Sequence, residues 1–207
     1  IMIINQRNLG QNAARNRGVY ESKNKFIAFL DADDEWDKEY LITIRQLFLN
    51  FPDCGAYATS SKTVKPGGKI NYPKITTCPP EPWIGILPNF FKIYQFGMIF
   101  NSSSIVIPKK ILEEIGGFDE NISYSADIDC WVKIAIKYPI AFSPKRLSIY
   151  HQDAENRNAI KNSLLIEMPV VQTIRKFIRS GEINEGELKI EALEYVAKRQ
   201  IIAASYN

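Results

Sequence analysis

The sequence predicts an α/β fold in which helices surround a sheet. Short apolar runs alternate with segments of helical periodicity up to His151, as in chains whose strands and helices follow one another. Beyond that point the pattern is helical only. We therefore expect an α/β domain over residues 1–151 and a helical segment over residues 152–207 that packs on it.

Composition and charge place the chain among ordinary globular proteins. Hydrophobic residues make up 45% of its 207 residues, and the net charge of +3 comes from intermixed basic and acidic residues, which gives no long-range attraction to nucleic acid. No apolar run reaches the roughly 20 residues that span a bilayer. Membrane contact would therefore be peripheral, at the inner face. Three cysteines without metal-ligand or disulfide spacing favour a reducing, cytoplasmic compartment.

The first elements follow from hydrophobic periodicity. Residues 1–4 are apolar and largely β-branched, which predicts an interior strand and suggests that the sequence begins within a domain. Residues 11–22 predict a helix, residues 26–30 a fully buried strand, and residues 37–50 an amphipathic helix. Helix, buried strand and helix in this order predict parallel strand pairing.

The remaining elements alternate in the same way. Turn residues 66–68 connect two extended runs and predict a hairpin. The aromatic stretch 83–100, which follows a proline-rich loop at 77–82, predicts partly helical structure. Further strands are expected at 55–64, 69–75, 102–107 and 140–150, and further helices at 109–115, 127–137, 160–179 and 185–204.

Three aspartates follow the predicted strand 26–30 directly: Asp31, Asp33 and Asp34. Open α/β sheets bind ligands beyond the ends of their strands, and neighbouring carboxylates tolerate one another when a divalent cation lies among them. Mg²⁺ takes one or two carboxylates together with phosphate oxygens. The cluster therefore predicts a metal–phosphate site, whereas the alternative is that the aspartates only cap the next helix.

Four other residues are candidates for chemistry. Arg15 lies within the first helix, where its planar guanidinium could stack on a base or pair with phosphate, or simply face solvent. Asp127 and Asp129 lie in the first turn of a later helix. Either could act as a general base or only interact with the helix dipole. His151, the only histidine, could be a surface residue or a neighbour of metal or phosphate.

Three sequence blocks, taken in order, resemble glycosyltransferase family 2 over residues 3–151. The family comprises inverting sugar transferases of the GT-A fold, so the resemblance implies a mixed sheet flanked by helices. The blocks are Asn8-Leu9-Gly10 with Ala14-Arg15-Asn16-Arg17-Gly18, then Phe29-Leu30-Asp31-Ala32-Asp33-Asp34, and finally Gly116-Gly117-Phe118-Asp119-Glu120 with Ala126-Asp127-Ile128-Asp129-Cys130-Trp131.

The resemblance implies roles for particular residues. Asp33 would bind the Mg²⁺ or Mn²⁺ that bridges a nucleotide-diphosphate sugar, with Asp31 and Arg15 beside the donor. Asp127 would take the proton from the acceptor hydroxyl. The acceptor, a saccharide or lipid-linked saccharide, would contact Asp119 and Glu120. Polysaccharide assembly in bacteria is the expectation at the level of the family.

Two departures from the family pattern keep alternatives open. Ala126 replaces the glutamate that usually precedes the catalytic aspartate, and the opening strands of the family have no counterpart in this sequence. One alternative is therefore a non-catalytic module that binds nucleotide or glycan. A second is a phosphohydrolase resembling the haloacid dehalogenases, in which Asp31 would be the nucleophile, although Asp34-Glu35-Trp36 fits that pattern poorly.

Overall fold

A sheet of seven strands forms the centre of the fold. The structure, a computed structural model, describes residues 2–75, 78–95, 97–152 and 168–204. The main strand order is β1-β6-β3-β7-β2, with β4 paired to β3 and β5 paired to β7. The strands are β1 (Phe26–Ala28), β2 (Glu35–Trp36), β3 (Ala56–Val64), β4 (Ile70–Asn71), β5 (Gly85–Ile86), β6 (Ile105–Pro108) and β7 (Ile140–His151).

Helices cover the sheet and close its edges. Most were expected from the sequence to within three residues. The helix at 90–94 fills only part of the stretch 83–100 that was expected to be partly helical. The predicted helix at 160–179 lies outside the described residues up to residue 167. Every helix in the described ranges is too short or too polar to span a bilayer. The helices are α1 (Gln11–Glu21), α2 (Tyr40–Asn50), α3 (Phe90–Tyr94), α4 (Lys109–Glu114), α5 (Ala126–Lys137), α6 (Pro169–Arg179) and α7 (Glu187–Ala204).

The sheet is mixed, which corrects the parallel pairing expected from the helix–strand–helix order. Only β3 and β7 pair in parallel among the described strands. Strand β6 lies between β1 and β3 and runs antiparallel to both. Strands β1 and β3 thus run in the same direction, as the alternation of helices and strands predicted. They are not neighbours, because β6, from a later part of the chain, lies between them.

Strand β1 is an edge strand in the described sheet, whereas the sequence predicted a fully buried one. Ile27 and Phe29 are buried, but Phe26 is 36% exposed and Leu30 is 48% exposed. One face of the strand packs on the core and the other meets solvent. The side chains on both faces are apolar, but only those on one face are buried. The aspartates that follow it still lie at a strand end.

Residues 1–4 were expected to form a strand, and the described part of this segment does not. Residues 2–10 have no regular secondary structure, and Met2 and Ile3 are 63% and 83% exposed. A strand needs a neighbour to satisfy its backbone groups, and no described strand pairs with this segment.

The serines at 102–104, expected to begin a strand, form a 3₁₀ turn before β6. The Ser104 hydroxyl accepts a hydrogen bond from the Asn101 N–H at 2.8 Å and donates one to the Asn101 carbonyl at 3.1 Å. Local bonds of this kind compete with strand pairing. The turn places Ser103 beside the aspartate cluster.

Helices α6 and α7 pack on the same core as the sheet. Val170, Ile174 and Tyr195 are fully buried in the cluster that contains Ile107 and Trp131. Apolar side chains from the C-terminal helices therefore help to enclose the α5 side of the sheet.

Asp129 ties α6 to α5. It is 1% exposed, its Oδ1 accepts a hydrogen bond from the Thr173 hydroxyl at 2.5 Å, and its Oδ2 lies 2.8 Å from Lys133 Nζ. The sequence suggested a partner of the helix dipole for this residue. The structure instead shows a buried carboxylate with a specific partner on each of two helices.

Candidate functional site

Arg15 and Asp31 form an ion pair between α1 and the end of β1. Arg15 Nη2 lies 3.0 Å from Asp31 Oδ1 and 3.3 Å from Oδ2. The arginine side chain is only 11% exposed, and that of Asp31 is 32% exposed. A guanidinium held in this way presents fixed donors and a planar surface at the strand end. The two residues expected at the donor site therefore contact each other directly.

Asp127 lies in the first turn of α5, within the electrostatic influence of this pair. Its Oδ1 accepts a hydrogen bond from the Ile128 N–H at 2.9 Å. Burial raises the pKa of Asp127, the positive charge of Arg15 lowers it, and the negative charge of Asp31 raises it. Arg15 thus acts electrostatically on carboxylates from two distant parts of the sequence, and the structure brings these three predicted residues together.

Phe118 connects the three sequence blocks. Its ring is 1% exposed and meets Phe29, at the end of β1, edge-on at a centroid distance of 5.3 Å. It also meets Trp131 of α5 edge-on at 6.0 Å, and the Arg15 guanidinium carbon lies 5.3 Å from its centroid. Contacts of this kind stabilise beyond the area that they bury. One aromatic ring therefore fixes the spacing of the strand end, α1 and α5.

Asn16 holds the loop that follows α4. Its amide Nδ2 donates to the Phe118 carbonyl at 2.8 Å and to Glu120 Oε1 at 2.9 Å, and its Oδ1 accepts from the Phe118 N–H at 2.9 Å. A side chain on Gly117, which has a φ of +65°, would come within 2.7 Å of the same Oδ1. Glycine is needed at this position for both reasons.

Asn12 fastens the far end of the same loop. Its Nδ2 donates to the carbonyls of Asp119 and Ile122 at 2.9 and 2.6 Å. Sequence reasoning gave neither Asn12 nor Asn16 a positioning role. The available signal was their spacing, because residues four apart share one face of a helix.

Asp119 and Glu120, expected at the acceptor, are partly engaged within this loop. Asp119 Oδ1 accepts hydrogen bonds from the backbone and side-chain nitrogens of Asn121 at 2.9 and 3.1 Å. Glu120 is exposed, and one of its oxygens accepts from Asn16. The structure places both residues next to the Arg15 helix, and their contact with an acceptor stays a prediction.

The aspartate cluster divides into exposed and buried members. Asp33 is exposed, whereas Asp34 is 8% exposed and its Oδ1 accepts the backbone N–H of His151 at 3.1 Å. Ser103 Oγ accepts the Asp31 N–H at 3.1 Å. The His151 ring nitrogen Nε2 lies 3.0 Å from Glu35 Oε1. The strand end is therefore ordered by the β7 terminus and the 3₁₀ turn, while Asp33 points to solvent.

Few side chains at this strand end could bind a metal ion, and their ligand atoms are all carboxylate oxygens. No group of three or more His, Cys, Asp and Glu side chains in the described residues could hold a metal ion. Asp31 is paired with Arg15, which leaves Asp33 as the exposed carboxylate of the motif. These residues fit Mg²⁺ or Mn²⁺ only when phosphate oxygens complete the coordination, which is the usual way that Mg²⁺ binds nucleotides.

The buried carboxyl of Asp34 makes stability depend on pH. Burial raises its pKa from 3.8 to about 6, although bonds from Ser103 and His151 oppose this shift. Because the folded state then binds the proton more tightly than the unfolded state, the free energy of unfolding should fall as pH rises from 3.8 to about 6. We expect Asp34→Asn to flatten this decrease in chemical denaturation measured without metal. An exposed carboxylate outside the cluster supplies the control: Asp53→Asn should keep the slope.

Comparison with known sequences identifies the family. The sequence model described as "Glycosyl transferase family 2" matches residues 1–115, more than half of the chain. The chain belongs to glycosyltransferase family 2. The matched residues contain α1, the aspartate cluster and the strands up to β6, while Phe118 and Asp127 lie beyond the matched region.

Two curated relatives carry glycosyltransferase names. An uncharacterized glycosyltransferase of Rickettsia felis is 30% identical over 152 residues, covering 72% of this chain and 23% of that protein. The uncharacterized glycosyltransferase MJ1057 of Methanocaldococcus jannaschii is 30% identical over 135 residues, covering 64% of this chain and 43% of that protein. The family 2 chain thus spans less than half the length of each.

Solved structures show the same fold. TarS 1–349 of S. aureus in complex with UDP-GlcNAc matches with a TM-score of 0.67 at 15% identity, covering 91% of this chain and 52% of that one. The UDP complex of the same TarS fragment matches with a TM-score of 0.57 at 14% identity, covering 92% and 50%. These matches confirm the GT-A fold of the family 2 chain.

Proposed function

We propose that this chain carries the donor and transfer site of an inverting glycosyltransferase. It would move a sugar from a nucleotide-diphosphate donor to an acceptor hydroxyl, with a divalent metal bound. The observation that carries the proposal is the position of Arg15, which contacts Asp31 and acts on Asp127 from the same place. The UDP-GlcNAc and UDP complexes of TarS support a nucleotide-sugar donor by fold analogy.

The donor side would be formed by the end of β1. Asp33, exposed beside the strand end, would hold the metal together with diphosphate oxygens, and the metal would supply positive charge for the leaving diphosphate. Arg15 would orient Asp31 through its two-point contact and keep that carboxylate aimed at the donor. The chain itself thus supplies few ligands and mainly positions the nucleotide.

The acceptor side would be formed by the start of α5. Asp127 would accept the proton from the acceptor hydroxyl as the oxygen forms its bond to the anomeric carbon and the bond to the diphosphate breaks. Attack on the face opposite the leaving group inverts the anomeric centre in one displacement. Arg15 would keep Asp127 ionised to a lower pH than burial alone allows, because its charge opposes the rise in pKa.

Nucleotide binding gives the first test. We expect Mn²⁺ to strengthen UDP binding to the purified protein in titration calorimetry, and Asp33→Ala to remove this metal-dependent part because the exposed carboxylate is lost. Asp53→Ala removes an exposed carboxylate outside the site and should leave UDP binding unchanged. Equal binding of UDP with Mn²⁺ by the wild-type and Asp33→Ala proteins would contradict the role of Asp33.

A non-catalytic nucleotide- or glycan-binding module is the second candidate. Ala126, which is 6% exposed, places a methyl group where the family usually has a glutamate next to the catalytic aspartate. Such a module would bind donor nucleotide without turnover, so the two functions separate in an assay that measures released UDP. Family membership favours sugar transfer over the phosphohydrolase alternative.

A further inference from the structure

A cavity lies at the open end of the β3–β4 hairpin, lined by residues other than those of the candidate site. Its volume is about 180 Å³, which is smaller than the roughly 300 Å³ at which pockets for drug-sized ligands begin. It therefore suits a single ring rather than a nucleotide. Its polar lining comes from β3, β4, the residue before the 3₁₀ turn and β7: Ser61, Thr63, Asn71, Tyr72, Asn101 and Tyr150.

The chemistry of this lining is polar and neutral. None of the described residues that line the cavity is charged; hydroxyls and amides alternate with the apolar Pro73 and Met98. Asn101 is 6% exposed, and its side chain caps the 3₁₀ turn through the capping box that it forms with Ser104. The neutral hydroxyls and amides of the lining both donate and accept hydrogen bonds, as the hydroxyl groups of a sugar require.

Tyr72 gives the cavity an aromatic rim. It is 56% exposed, and the guanidinium carbon of Arg146 lies 5.0 Å from its ring centroid. A tyrosine offers an apolar ring surface together with a polar hydroxyl. The C–H faces of a sugar ring pack on such a surface while its hydroxyls bond to the lining.

The wall of the cavity is shared with the candidate transfer site. Asn101 lines the cavity, while its neighbour Phe100 accepts a hydrogen bond at its carbonyl from the Tyr94 hydroxyl at 2.9 Å. Two residues further along, Ser103 accepts the Asp31 N–H. A short segment thus lines the cavity through Asn101 and contacts the aspartate cluster through Ser103.

We propose that this cavity binds one neutral sugar ring of the acceptor. The inference rests on the proposed function, since it assigns the ring to the molecule that attacks at Asp127. The donor also contains a sugar ring with the same hydroxyl groups. Competition with UDP-GlcNAc distinguishes a donor ring from an acceptor ring in the cavity.

The test uses methyl glycosides of common neutral hexoses and N-acetylhexosamines with the purified protein, observed by NMR. We expect at least one glycoside to bind, and we expect Thr63→Val, which removes a hydroxyl at nearly constant shape, to weaken its binding about fivefold. Tyr72→Ala should weaken it similarly. Tyr20→Ala is the matched control, because Tyr20 is also exposed and also lies under an arginine, Arg17, outside the cavity.

Each outcome decides the proposal. Glycoside binding that falls in the Thr63→Val and Tyr72→Ala variants, remains in Tyr20→Ala and persists with saturating UDP-GlcNAc supports the acceptor assignment. Displacement of the glycoside by UDP-GlcNAc overturns it, whether or not UDP also displaces the glycoside, because the donor then occupies the cavity. Absent binding, or binding that the cavity variants leave unchanged, also overturns it. UDP binding is measured in the same samples. Failure of the wild-type protein to bind UDP would contradict the proposed function, whereas the glycoside result could still be interpreted.

Discussion

Asp127→Asn should lower the transfer rate by about 10²- to 10⁴-fold, the range typical of a lost general base. The amide keeps nearly the same shape but cannot take the proton from the acceptor hydroxyl. Because burial raises the pKa of Asp127, wild-type activity should also decline with falling pH from a higher value than an ordinary aspartate would give. The measurement is the initial rate of UDP release as a function of pH, with an acceptor saccharide present.

The controls separate chemistry from binding. UDP affinity should be unchanged in Asp127→Asn, whereas Asp53→Asn, at an exposed carboxylate, should keep full activity. Arg15→Gln should shift the acidic limb of the pH profile to higher pH, because it removes the charge that lowers the Asp127 pKa. An Asp127→Asn protein with more than about a tenth of the wild-type rate would be inconsistent with a general base at this position.

Asp129→Ala should destabilise the fold by about 3 kcal/mol, since removing one partner of a buried ion pair leaves the other uncompensated. Lys133 would lose its carboxylate, and the Thr173 hydroxyl would lose its acceptor. The measurement is the free energy of unfolding from urea denaturation at neutral pH. The loss of the link between α5 and α6 is the physical cause.

The neighbouring positions provide the comparison. Thr173→Val removes only the hydroxyl and should cost about 1 kcal/mol. Asp127→Asn, two residues away on the same helix, should change stability much less than Asp129→Ala. Equal stability of Asp129→Ala and the wild-type protein would show that the buried contacts contribute no net stabilisation.

The sequence predicted the helices well because their apolar spacing is a local property. Helices α1, α2 and α5 begin and end within a few residues of their expected limits. The pairing of strands could not be predicted in the same way. The insertion of β6 between β1 and β3 depends on contacts between segments far apart in the chain, and the exposed side of β1 depends on what covers it.

The candidate site shows the same division. The chemical types of Arg15, Asp31 and Asp127 were visible in the sequence, and the family resemblance assigned all three to one sugar-transfer site. The convergence of Arg15, Phe29 and Trp131 on Phe118 was not visible, because an apolar ring between two glycines and an aspartate carries no signal of its contacts. The cavity at Asn101 was missed for a similar reason: its lining comes from four separate segments.

The strand order has a consequence for how the molecule assembles. The only described partner of β2 is β7, and β6 separates β1 from β3, so early and late parts of the polypeptide interdigitate. Such non-local pairing slows folding because long loops must close before contacts form. A ribosome-bound chain that has emerged only as far as α4 would lack β7 and hold β2 without its partner. The part of the sheet beside the aspartate cluster can therefore be completed only after β7 has been synthesised.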